Sequence, residues 1–149
     1  MTRLNVLVEG ETEETFVQEI LAPHLADNGI YVSGIQLVPN TARANSRRFK
    51  GGVVRYHPVR DALVRWMRQE DKDDARFTTV LDFYKLPEDF PGMRNARASA
   101  SPDDLEAALA DDVADEARGR FIPYLQQYEF EALVLADTAP VTAHRGDMV

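Results

Sequence analysis

Apolar and polar positions along the chain follow two periods in alternation. Leu4-Asn5-Val6-Leu7-Val8 is short and mostly apolar, the pattern of a buried parallel strand, and it stops at Glu9-Gly10. Phe16, Val17, Ile20, Leu21 and Leu25 then recur at helical spacing; Thr12 is the expected cap, Glu13 and Glu14 fill the first turn, Pro23 should kink the helix and Asn28-Gly29 should end it. Ile30-Tyr31-Val32 and Ile35-Gln36-Leu37-Val38 read as a second strand region broken at Gly34. Residues 39–52 are polar and basic and read as a long, mobile loop. Val59, Ala62, Leu63, Trp66 and Met67 mark an amphipathic helix, and Phe77-Thr78-Thr79-Val80-Leu81 is a β-branched, apolar strand ending at Asp82. Pro87, Pro91 and Gly92 place a loop from Leu86 to Ser101. Ser101-Pro102-Asp103-Asp104 is a helix start, followed by a stripe of Leu105, Ala108, Leu109, Val113 and Ala117. A last strand is expected at Arg120 to Leu125, with Pro123 arguing for an edge or a bulge, and a short helix at Glu129 to Ala136. Strand and helix thus alternate four times, which predicts an α/β fold with a mostly parallel sheet of about four strands flanked by helices.

That order changes the meaning of two acids. In such sheets the working site lies beyond the carboxyl ends of the strands, and Glu9 and Asp82 both end a strand. Mg²⁺ and Mn²⁺ favour carboxylate oxygens and complete their shells with water and substrate phosphate. Glu13 follows Glu9 by one helical turn, so both can approach one ion, with Asp82 arriving from the neighbouring strand and Gly10 allowing the turn. Three carboxylates together repel unless a metal or a proton intervenes. Each acid also has a plainer role open to it. Glu13 and Glu14 stand where a helix dipole favours acids anyway, Glu11 faces solvent, and Asp82 could simply orient the following loop. Lys85, three residues past Asp82, is a candidate to neutralise phosphate or transition-state charge. His57 could contact a phosphate or be a surface histidine in a basic segment.

Composition narrows the classes. One domain is the natural count for 149 residues, with 44% hydrophobic and 28% charged positions. With no cysteine, disulfides and thiolate metal sites are excluded, and no apolar run reaches the ~20 residues of a membrane span. A cytoplasmic protein without membrane attachment is the expectation. The net charge of -8 argues against a dedicated nucleic-acid binder, but eight of the 17 lysines and arginines cluster at Arg43, Arg47, Arg48, Lys50, Arg55, Arg60, Arg65 and Arg68. The acids gather elsewhere, at Asp103, Asp104, Glu106, Asp111, Asp112, Asp115 and Glu116. A charge-segregated surface can hold an anion on one face, and a solvated arginine-rich helix is the alternative. No Ser-His-Asp pattern, Walker loop or Gly-x-Gly-x-x-Gly supports acyl transfer, nucleotide triphosphate hydrolysis or hydride transfer.

Val6-Leu7-Val8-Glu9-Gly10-Glu11-Thr12-Glu13 resembles the first motif of Toprim domains, in which a strand ends in Glu-Gly. Three longer blocks, Val8 to Phe16, Leu81 to Gly92, and Phe121 to Gln126 with Glu129 to Leu133, are together similar to a bacterial Toprim-like family known as domain of unknown function 4276. The resemblance implies a Toprim-like (Rossmann-like) fold over residues 1–137, with 138–149 as a tail or a cut continuation. It also implies a Mg²⁺- or Mn²⁺-dependent nuclease or phosphodiester-cleaving site. In Toprim nucleases related to the overcoming-lysogenization-defect family the first motif often carries a second Glu four residues on, and Glu9 and Glu13 match it. The next Toprim motif is normally Asp-x-Asp; Asp82 matches its first acid, whereas Tyr84 stands at the second. Glu129 or Glu131 could supply the missing carboxylate, only one of them because they point to different faces of a helix. The expected site is therefore Glu9, Asp82 and Lys85 for catalysis, Glu9, Glu13, Asp82 and Glu129 or Glu131 for metal, and Arg43, Arg47, Arg48 and Lys50 for the nucleic-acid backbone. The alternative is a catalytically incomplete module serving an ATPase partner in a defence complex; a second copy of the chain is a further candidate partner.

Overall fold

The computed structural model describes residues 1–39, 53, 55–96, 100–128 and 133. Strands β1 (Thr2–Val8), β2 (Ile30–Leu37), β3 (Ala75–Asp82), β4 (Phe121–Ile122) and β5 (Leu125–Gln126) form a sheet in the order β2-β1-β3-β4, with β5 also beside β3. Every pairing is parallel. The helices are α1 (Glu11–Phe16), α2 (Ala22–Ala26), α3 (Tyr56–Gln69), α4 (Met93–Ala96), α5 (Pro102–Asp112) and α6 (Ala114–Ala117).

Parallel neighbours require crossovers, and the crossovers cover both faces of the sheet. The alternation in β1 shows how. Val6 and Val8 pack with Phe16 and Val17 of the first helical segment and with Val80. Leu7, pointing the other way, joins Leu63 and Met67 of α3 and Leu105 and Leu109 of α5. The result is an α/β domain with a parallel sheet of four to five strands between helical layers, as the sequence predicts.

Several boundaries differ from expectation for identifiable reasons. Gly10, not Thr12, is the N-cap of α1, and it caps without a side chain. Pro23 does not simply kink its helix. A π-helical turn at Val17–Leu21 precedes it and α2 begins around it, because a proline cannot donate to the carbonyl four residues back and its ring crowds that carbonyl. The wider turn shifts the apolar stripe, leaving Ile20 49% exposed while Phe16 and Val17 stay buried. Gly34 does not break β2. The register against β1 slips between Leu4 and Asn5, leaving Ser33 as the extra residue of a bulge. A Cβ on Gly34 would meet Trp66 at 2.7 Å and Asn5 Oδ1 at 2.9 Å, so the glycine is there for close packing.

The Leu86 to Ser101 segment contains the single turn α4, and Ser101 caps α5 through a reciprocal pair with Asp104. Pro123 splits the expected last strand into β4 and β5, which keep one register: Thr78 pairs with Ile122 and Leu81 with Leu125. Thr79 spans the gap. Its hydroxyl donates to the Tyr124 carbonyl at 2.9 Å and accepts from the Tyr124 amide at 3.1 Å. The predicted loop beyond Pro39 (40–52) and the predicted helix at Glu129 to Ala136, Leu133 apart, lie outside the described residues.

Candidate functional site

The chain leaves β1 toward β2 on one side and returns in β3 on the other, with the connecting helices on opposite faces. The carboxyl ends of β1 and β3 therefore flank the point where strand order reverses, which is where open parallel sheets bind ligands. Glu9 follows β1 directly, and Asp82 is the last residue of β3.

Their geometry is specific. Glu9 Oε2 accepts the backbone amide of Asp82 at 3.0 Å, so the first acid is tied across the strand ends to the second. Asp82 Oδ1 accepts the amide of Tyr84 at 2.9 Å and so caps the 3-10 turn Phe83–Lys85, the loop-orienting role that the sequence left open to it. Lys85 Nζ lies 3.5 Å from Asp82 Oδ2, and the Asp82 side chain is only 11% exposed. Glu13 closes the group from α1: a Cβ on Gly10 would stand 3.2 Å from Glu13 Oε2, so the Glu13 carboxylate folds back over the turn. Gly10 has an extended backbone, φ -153°, so it serves that close approach and not a left-handed turn.

Burial pushes the Glu9 carboxyl above its usual range. The Asp82 amide opposes that shift, the charge of Glu13 adds to it, Lys85 opposes it and Asp82 adds. An acid has thus been placed where its anion is poorly solvated and repelled by two neighbours.

Glu9, Glu13, Asp82 and Lys85 are brought together. Glu129, Glu131, Arg43, Arg47, Arg48 and Lys50 lie outside the described residues. Among the described residues, no three His, Asp or Glu side chains are arranged to hold a metal ion by themselves. The donor set is nonetheless hard oxygen, as Mg²⁺ and Mn²⁺ prefer. His57 belongs to the first turn of α3, not to a loop, and pairs with Asp61 at 3.1 Å. The structure adds a residue the sequence reading passed over: Gln126, 6% exposed, sits in register beside Asp82 and accepts the Tyr124 hydroxyl. Its one signal was shared with Glu9 and Asp82, a polar residue closing an apolar strand run.

The charge segregation of the sequence folds onto itself. Arg60 pairs with Asp112 at 2.9 Å and Glu116 at 3.5 Å, and Arg68 with Glu116 at 3.6 Å, so α3 turns part of its basic face to the acids of α5 and α6.

Fold and site together define a parallel α/β domain with carboxylates gathered at its topological switch point. The chain belongs to the family described as Domain of unknown function (DUF4276), whose model matches residues 8–147. No curated protein and no solved structure matches it.

Proposed function

We propose that this domain is a Toprim-like, metal-dependent phosphodiester-cleaving enzyme that holds Mg²⁺ or Mn²⁺ on Glu9 and Asp82, with Glu13 as a further ligand. The observation that carries the reading is Glu9 itself. A group needed only to accept the Asp82 amide could be neutral, yet a half-buried carboxylate is kept there against burial and two like charges. A divalent cation would offset all three costs. Bound there, it would supply a Lewis acid for the phosphate and lower the pKa of a water nucleophile.

The protein's own residues then have defined tasks. Glu9 and Asp82 orient the ion from two rigid strand ends. Lys85, already beside Asp82, neutralises charge on the scissile phosphate. Glu129 or Glu131 is the proposed source of the carboxylate missing at Tyr84, and Arg43, Arg47, Arg48 and Lys50 are proposed to hold the nucleic-acid backbone. Isothermal titration with Mn²⁺ tests the site: binding should be lost or strongly weakened in Glu9→Gln and in Asp82→Asn. Unchanged affinity in both variants removes the basis of the reading. Activity is a separate question, answered by a supercoiled-plasmid assay across divalent metals.

One observation favours a second reading, a non-catalytic module for an ATPase partner. Where the Toprim pattern would place a second acid, Tyr84 stands, 67% exposed and without a carboxylate. The plasmid assay separates the two readings, since metal-dependent cleavage abolished in Glu9→Gln belongs only to the first.

A further inference from the structure

We propose that Tyr84 is a stacking platform for an unpaired nucleobase, so that the substrate offered to the strand-end acids is single-stranded nucleic acid. The proposal rests on the phosphodiester reading above and names its substrate class. Tyr84 is the most exposed tyrosine of the described residues, at 67%, although its neighbour Phe83 packs onto the main core. The two rings meet edge to face, 5.2 Å between centroids and 78° apart. That contact rests the Tyr84 ring against a partly buried anchor while most of it stays in water. Little rotamer freedom is then left to lose when a flat ligand covers it.

The ring is also fixed relative to the acids. The Tyr84 amide donates to Asp82 Oδ1 at 2.9 Å, and the next residue, Lys85, carries the ammonium 3.5 Å from Asp82 Oδ2. Within the four residues from Asp82 to Lys85 the turn therefore presents an aromatic face, a cation and a strand-end carboxylate. A nucleotide unit offers the matching parts, a π-face and a phosphate separated by one sugar. A base stacked inside a duplex has no free face to give, whereas an unpaired base does, and stacking tolerates any base. The exposure of Tyr84, unexplained by packing or hydrogen bonding of its own ring to the core, has a use in this arrangement.

The test uses the full chain with Tyr84→Trp. The protein's single native tryptophan, Trp66, is 8% exposed in the core, so the new indole reports on its own surroundings. A short thymidine oligonucleotide, the same strand in a duplex, and thymidine monophosphate are titrated in EDTA and again in Mn²⁺. Quenching of the indole by the single strand is expected, with the duplex and the mononucleotide at least about ten-fold weaker. By anisotropy of a labelled strand, Tyr84→Ala should bind roughly five- to one-hundred-fold more weakly and Tyr84→Phe within about two-fold of the native chain. Native affinity in Tyr84→Ala, or a duplex that quenches as strongly as the strand, overturns the proposal. Equal quenching by the mononucleotide overturns the assignment to a strand. Retained Mn²⁺ binding with no response to the strand sinks this proposal alone; a strand response without Mn²⁺ binding sinks the metal site and leaves the stacking platform standing.

Discussion

Glu9 shows at the scale of one residue why stability and chemistry pull apart. Its folded pKa lies above the value of 4.5 expected for an unfolded glutamate, chiefly through burial. In the window between the two values the folded protein binds more protons than the unfolded chain, so the contribution of Glu9 to stability falls as pH rises through it. Above that window the charged form is a fixed cost of folding. Glu9→Gln keeps an oxygen to accept the Asp82 amide and removes that cost. In metal-free protein it should raise the melting temperature at pH 7 by on the order of a few degrees, a gain that shrinks as pH falls through that window and is gone below about 4.5. Equal stability of the two proteins at both pH values would show that Glu9 is freely solvated. Gly34 is the opposite case, a residue with no chemistry whose absence of a side chain is the point. In Gly34→Ala the new methyl must displace the Trp66 ring or the Asn5 amide, at a cost of roughly 1–3 kcal/mol in urea unfolding.

At the scale of elements, the last strand is the most exposed to a single change. Pro123 removes a ladder donor, and the Thr79 hydroxyl of β3 bridges the gap between β4 and β5 through the Tyr124 backbone. Thr79→Val keeps the volume but leaves the part-buried Tyr124 carbonyl and amide without that partner, so a loss of about 1 kcal/mol is expected, with faster hydrogen exchange at the Tyr124 amide. Thr79→Ser should restore both. Because β5 places Gln126 beside Asp82, the same variant should also disturb the strand-end site. Arg120 plays a comparable part at the far end of α3, donating to the carbonyls of Met67 at 3.0 Å and Glu70 at 2.7 Å while lying over the Phe77 ring. A cation on the last carbonyls of a helix satisfies groups the helix cannot satisfy itself.

Charge is best weighed at the scale of the whole molecule. A net charge of -8 would repel phosphate from most of the surface, and two arginines of α3, Arg60 and Arg68, pair with Asp112 and Glu116. Attraction toward an anion must then come from local cations, of which Lys85, among the described residues, lies beside Asp82. It also competes with any metal for Asp82. Lys85→Met should therefore tighten Mn²⁺ binding by roughly five-fold, the ~1 kcal/mol scale of a pair whose cation is solvated, with the gain fading at high salt. In a cleavage assay the same variant should be slower. Tighter metal binding with undiminished cleavage would remove Lys85 from the proposed chemistry. Among the described residues no helix is long and apolar enough to cross a membrane.

The sequence by itself determined the alternation of elements, the capping of α5 by Ser101 and the placing of Glu9 and Asp82 at strand ends, because periodicity, turn chemistry and a polar residue closing an apolar run are local properties. The resemblance of Val8 to Phe16 and of Leu81 to Gly92 carried the family, to which the chain belongs. What only the tertiary structure decided was contact between residues far apart in the chain. Nothing local shows that Gly34 makes room for Trp66, that Thr79 repairs the interruption at Pro123, that Gln126 lies beside Asp82, or that the arginines of α3 meet the acids of α5 and α6. Strand order places Glu9 against the Asp82 amide, 73 residues away, and burial there raises its pKa. An acid's charge state depends on what surrounds it, and that neighbourhood exists only once the sheet is assembled.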